Sequence, residues 1–196
     1  IEAQDLPHHV RDRATDLWGQ SRGDDCSATM AWCRKGVTLN LLTGPPDNRR
    51  HDEAVARRFM DQPGWKAICG GATAEMVARA VRLALVMELR DSGTIAPPQS
   101  HMPGVDLVTE GAVTLNQVYN ILDEENPDFP EENGVTELYY RLRVADRVVI
   151  FLGQSGNPAG GDIIFRQRGI LTRRHIVPLI ADKLRQMGKL VQIHPC

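Results

Sequence analysis

Trp65-Lys66-Ala67-Ile68-Cys69-Gly70-Gly71-Ala72-Thr73 is the stretch on which the fold turns. A short apolar strand at 65–69 runs into two glycines, and Met76, Val77, Ala80, Val81 and Ala84 then share one face of a helix. Strand, glycine turn and amphipathic helix make half of a parallel crossover unit. The pattern recurs on both sides. Upstream, a strand at 39–43 ends in Gly44-Pro45-Pro46, and Asp47 or Asn48 caps a helix carrying Val55 and Phe59. Downstream, a strand at 105–108 leads through Thr109-Glu110-Gly111 to a helix with Leu115, Val118 and Leu122, for which Thr114 is the expected cap.

A further helix with Val135, Leu138 and Leu142 precedes the strongest strand, 148–152, which stops at Gly153. The last helix carries Ile176, Leu179, Ile180, Leu184 and Met187, with Pro178 expected in its first turn and Gly188 at its end. It returns as a strand at 190–194. Strands alternating with helices in this way predict an α/β protein with a mainly parallel, doubly wound sheet and helices on both faces. Residues 92–104, 123–134 and 154–169 read as excursions from it. The amino-terminal part is different: Leu6, Val10, Ala14 and Leu17 form one helical stripe, residues 20–25 a polar turn, and Ala28, Met30 and Trp32 alternate as a strand does.

Composition sets limits on function. The 196 residues carry 23 Lys+Arg against 25 Asp+Glu, a formal charge of −2, with 42% hydrophobic residues. A balanced charge argues against a nucleic-acid partner, which calls for a basic stripe. The longest apolar run, 83–87, is cut off by Glu88 and Arg90, far short of the roughly 20 residues a membrane helix needs, so no membrane partner is expected. Residues 1–21 hold charges throughout and no apolar core, unlike a signal peptide, and the missing initiator Met suggests a fragment or processed chain. Cys26, Cys33, Cys69 and Cys196 show no CxxC pair and read as reduced thiols of a cytoplasmic protein.

In an open α/β sheet, ligands bind at the carboxyl ends of strands, where loops meet helix N-termini with unpaired N–H groups. The sequence puts four turns at that edge: Thr43-Gly44, Gly70-Gly71-Ala72-Thr73, Thr109-Glu110-Gly111, and the loop from Gly153 to Asn157. Gly70, Gly71 and Thr73 make the best anion cradle, though the stretch lacks the lysine of a P-loop and the third glycine of a dinucleotide fingerprint. A tight strand-to-helix turn is an equal reading. Glu110 can act as a general base or accept from a hydroxyl, with helix capping the commoner role. Arg173-Arg174 beside a helix start can receive a phosphate, although a solvated basic pair is commoner. The six histidines do not assemble a metal site by their spacing. Asp24-Asp25, an acidic pair in a turn before a strand, is how several metallophosphatases present a carboxylate to a divalent cation, although acids in turns usually serve the turn alone.

Asp5-Leu6-Pro7, Leu17-Trp18-Gly19 and the run from Gly23 through Asp24-Asp25-Cys26-Ser27 to Met30 resemble the closing helix, acidic turn and final strand of metal-dependent protein serine/threonine phosphatases, in the bacterial branch typified by stage II sporulation protein E. Leu42-Thr43-Gly44-Pro45-Pro46, Cys69-Gly70-Gly71-Ala72-Thr73-Ala74 and the run from Gly104 to Gly111 resemble a C-terminal region that follows the phosphatase domain in some members. The resemblance implies residues 1–36 as the end of a phosphatase domain, a helix and strand remnant, and 37–196 as a C-terminal α/β domain. It also implies a binuclear Mn²⁺ or Mg²⁺ centre in the complete enzyme, hydrolysis of phosphoserine or phosphothreonine on a phosphoprotein substrate, and Asp24 as the one metal ligand in this stretch. The remaining acidic motifs have no counterpart, so the chain is expected to be silent alone and to hold no metal tightly.

The candidate ligand-binding residues are therefore Gly70, Gly71, Thr73, Glu110 and Gly153, for a small anion or molecule. Two other readings stay open. One is a stand-alone enzyme or binding protein for a phosphorylated metabolite at 70–73, and the other is a scaffold whose glycine turns only pack in a homodimer.

Overall fold

The computed structural model describes residues 5–19, 23, 25, 27–31, 33–87, 100–125, 127–129, 131–156 and 169–196. The chain divides into two units, Ile1–Lys35 and Gly36–Cys196. In the first, helix α1 (Leu6–Trp18) begins with Pro7 in its opening turn and has no buried residue. Its apolar stripe stays exposed: Leu6, Val10, Leu17 and Trp18 keep between 37% and 70% of their surface. The Trp18 ring lies over Gly23, where a Cβ would come within 2.1 Å of Cδ2. No strand forms at 27–31 or 33–37, where the alternation from Ala28 to Trp32 predicted one. Asp24 lies outside the described residues.

The second unit holds a seven-stranded sheet in the order β3-β4-β5-β2-β1-β6-β7. Strands β1 (Thr38–Thr43), β2 (Trp65–Cys69), β5 (Leu107–Thr109), β6 (Arg147–Leu152) and β7 (Leu190–Pro195) are parallel, while β3 (Val86–Met87) and β4 (Ser100–His101) add an antiparallel edge. Numbered along the chain, the five parallel strands lie in the order 3-2-1-4-5, so the winding reverses between β1 and β6.

Side chains of each strand alternate between two cores. Leu42, Ile68, Val108, Val149 and Phe151 meet α2 (Asp52–Met60) and α3 (Gly71–Val81) through Ala56, Phe59, Ala74 and Val77. Leu39, Leu41, Ala67, Val148 and Ile150 meet α4 (Ala112–Ile121), α5 (Gly134–Val144) and α6 (Arg173–Gln186) on the other face. The α/β, doubly wound expectation is therefore met in the second unit.

Local readings differ in four places. Helix α3 stops at Val81 rather than continuing to Ala84, because Arg82 takes the left-handed conformation at φ 58° and Leu83 N donates to Ala78 O. Pro178 sits inside α6, past its first turn. Gly111 occupies the N-cap of α4, which leaves Thr114 inside the helix, fully buried with its Oγ1 unpartnered. Asn48 caps as read, but it caps the short 3₁₀ turn Arg49–His51 that leads into α2, accepting from Arg50 N at 3.0 Å.

Candidate functional site

Because β1, β2, β5, β6 and β7 run parallel, their carboxyl ends share one edge, and Gly70, Gly71, Thr73, Glu110 and Gly153 all follow strand ends there. Gly44 links several of them. Its N–H donates to Thr73 Oγ1 at 3.0 Å, and Thr43 Oγ1 donates to Cys69 O at 3.0 Å, so the loops after β1 and β2 are tied by two buried bonds. Gly70 N donates to Thr109 O at 2.8 Å, and a Cβ on Gly111 would lie 3.5 Å from Gly70 Cα. The glycine turns after β2 and β5 thus touch backbone to backbone. Gly70 itself has φ 127°, a conformation few side chains allow.

The usual ligand crevice of this topology, beside the reversal point, is filled by the chain's own backbone. A Cβ on Gly153 would fall 2.1 Å from Gly44 O and 2.3 Å from Pro45 O. Gly153 N donates to Thr43 O and Ser155 N to Pro45 O, closing the loops after β1 and β6 on each other. Gly153 is therefore a packing residue rather than open backbone. Gly71 is the opposite, since a Cβ there would meet nothing within 4 Å among the described residues. Neither α3 nor α4 has a side-chain cap, so among the described residues no side chain closes off their first N–H groups at this edge.

Arg173, the first residue of α6, comes to the same place. Its Nη2 donates to Ser155 O at 2.8 Å, and the guanidinium covers Gly44 so closely that a Cβ there would lie 2.5 Å from Cζ. Arg174 Nη2 donates to Gln154 O. Burial, with Arg174 beside it, lowers the pKa of Arg173. The sequence offers Arg173-Arg174 as a candidate phosphate receiver, with a solvated basic pair the commoner reading, but not the seat of Arg173 over Gly44, which depends on contacts distant in the chain.

Glu110 makes no cap: Gly111 is the N-cap of α4, with no side-chain bond, and Glu110 Oε2 is enclosed with no hydrogen-bond partner among the described residues. Beside it, Cys69 is fully buried, and its thiol is pushed up to about 12, chiefly by burial and in part by the Glu110 charge, against a lowering bond from Thr109. Thr109 Oγ1 lies 3.3 Å from Cys69 Sγ and 2.9 Å from Glu110 O, so one hydroxyl proton serves two acceptors. Because the folded thiol holds its proton above the ordinary value of 9.0, its contribution to stability is intact below that pH and is lost as pH rises toward about 12. In urea unfolding at pH 7, 9 and 10.5, Cys69→Ala is therefore expected to lose less stability across the alkaline range than wild type. Parallel pH curves would refute that assignment.

Among the described residues, no three His, Cys, Asp or Glu side chains gather into a metal-holding group. His175 bonds Thr172, and His194 lies against Phe151. No described helix is long and apolar enough to cross a membrane. Compared with known proteins, the chain matches no family model, no curated protein and no solved structure.

Proposed function

We propose that residues 36–196 form a ligand-binding domain that takes a small phosphate-bearing molecule at the carboxyl edge of its sheet. In this reading the domain is the regulatory part of a metal-dependent protein serine/threonine phosphatase of the stage II sporulation protein E type. The observation that carries ligand binding is Gly71. It opens α3 without a positive φ, and among the described residues a Cβ would meet no neighbour. Packing gives no reason for a glycine there, and alanine favours a helix by roughly 0.5–1 kcal/mol. A bare backbone beside two uncapped helix starts suits close approach by an anion.

The phosphatase part of the reading rests on the sequence likeness at 5–30, 42–46, 69–74 and 104–111. Asp24 would supply one ligand to Mn²⁺ or Mg²⁺ in the complete enzyme, which acts on a phosphoprotein.

Thermal unfolding with inorganic phosphate, ADP, glucose 6-phosphate and Mn²⁺ tests both parts. A ligand at about 100 times its Kd stabilises by roughly 2.7 kcal/mol, which raises Tm by about 5–10 °C in a chain of this size. Gly71→Val is expected to abolish the shift while leaving the unliganded Tm nearly unchanged. No shift with any phosphate compound would favour a scaffold. A weak Mn²⁺ effect that Asp24→Asn removes supports the phosphatase assignment, and Mn²⁺ binding that Asp24→Asn leaves unchanged counts against it.

A further inference from the structure

Resting on that ligand-binding reading, we infer that Arg173 is the residue that anchors the ligand's phosphate, above Gly44 at the carboxyl end of β1. Arg173 is half-buried, yet no described carboxylate forms an ion pair with it or with Arg174. A desolvated guanidinium is ordinarily matched by an anion. Among the described residues its one hydrogen bond, to Ser155 O, uses Nη2, and Nε and Nη1 meet no partner there.

Those two nitrogens lie over Gly44, where a Cβ would come within 2.8 Å and 2.6 Å of them. Any side chain at 44 would displace the guanidinium. The φ of 82° alone explains a glycine at 44, but the stacking of Arg173 on it does not follow from backbone geometry. Two adjacent positive charges, Arg173 and Arg174, with no negative partner among the described residues suit a dianion, and the planar fork of arginine matches two phosphate oxygens at once. Gly44 N, bonded to Thr73 Oγ1, connects this spot to the turn that begins at Gly70, so one ligand can span both. The chemistry recognised is a phosphate dianion, whether free or carried on a metabolite.

Isothermal titration with inorganic phosphate, glucose 6-phosphate and ADP separates these sources and tests the assignment. Arg173→Gln is expected to weaken phosphate binding at least about tenfold, as losing a charged hydrogen-bond partner does. Arg173→Lys keeps the charge but not the fork and should fall between the two. Arg147→Gln, at the start of β6 on the opposite edge of the sheet, loses only the bond to Gln192 Oε1 and should stay within about threefold of wild type. If Arg173→Gln binds as wild type while Gly71→Val does not, Arg173 is only a loop tether and the inference fails, although the ligand site stands. If wild type binds none of the three compounds, both fail. Should Arg173→Gln lower the unliganded Tm, Arg173→Lys decides, and an unaltered affinity there overturns the inference.

Discussion

Gly153→Ala lowers unfolding free energy by on the order of 3 kcal/mol in urea titrations, more than any other single methyl group added at the carboxyl edge. The added carbon would sit 2.1 Å from Gly44 O and 2.3 Å from both Gly44 C and Pro45 O. These are backbone atoms, so no rotamer change relieves the overlap. The loops after β1 and β6 would have to separate, straining Gly153 N to Thr43 O at 2.9 Å and Ser155 N to Pro45 O at 3.2 Å. Gly156→Ala is the matched control. Its Cβ meets nothing within 4 Å, and its cost should stay within about 0.5 kcal/mol. A Gly153→Ala protein within about 1 kcal/mol of wild type would show that these loops are not held together.

Phe59→Ala costs about 3–5 kcal/mol, read as a lower urea midpoint at an unchanged slope. Phe59 has no exposed surface and projects from α2 between the sheet and α3. Its ring meets Phe151 of β6 edge to face, with centroids 5.9 Å apart at 83°. Truncation removes this aromatic pair and leaves a void that neighbouring side chains fill only in part. Phe59→Leu, which keeps much of the volume, should cost under about 1.5 kcal/mol. If both variants lose equally little, α2 is not anchored through this ring.

How much of this was legible in sequence depended on the kind of signal. The parallel strands are buried on both faces and read as continuous apolar runs, so β2 lies at Trp65–Cys69 as read and β6 begins one residue early at Arg147. The antiparallel strands β3 and β4 have two residues each, too few to carry any period. The end of α3 was missed because the apolar stripe runs on to Ala84, whereas the backbone turns left-handed at Arg82, a residue with no local signature for it. Thr114 has the composition of a cap but lies one turn too late, because Gly111 already starts the helix.

At the site, the glycines were visible as turn residues, and their shared edge followed from parallel topology. Their division of labour was not visible. Gly153 and Gly71 look alike in sequence, and only the positions of Gly44 and Pro45 show that one fills a crevice while the other faces open space. Arg173 was legible as a basic residue beside a helix start, but its seat was not, because its partners, Gly44 and Ser155, come from two other segments.

The position of β1 in the middle of the five parallel strands also bears on how the chain is made. One side of β1 pairs with β2, which follows soon after it, but the other side waits for β6, and Val37 N reaches Asp146 Oδ2 across 109 residues. At a synthesis rate of about 5–20 residues per second, that interval lasts roughly 5–20 s on the ribosome. Throughout it, the most buried strand of the finished domain has one bare hydrogen-bonding edge. The nascent chain is therefore most exposed to wrong strand pairing before β6 has been translated.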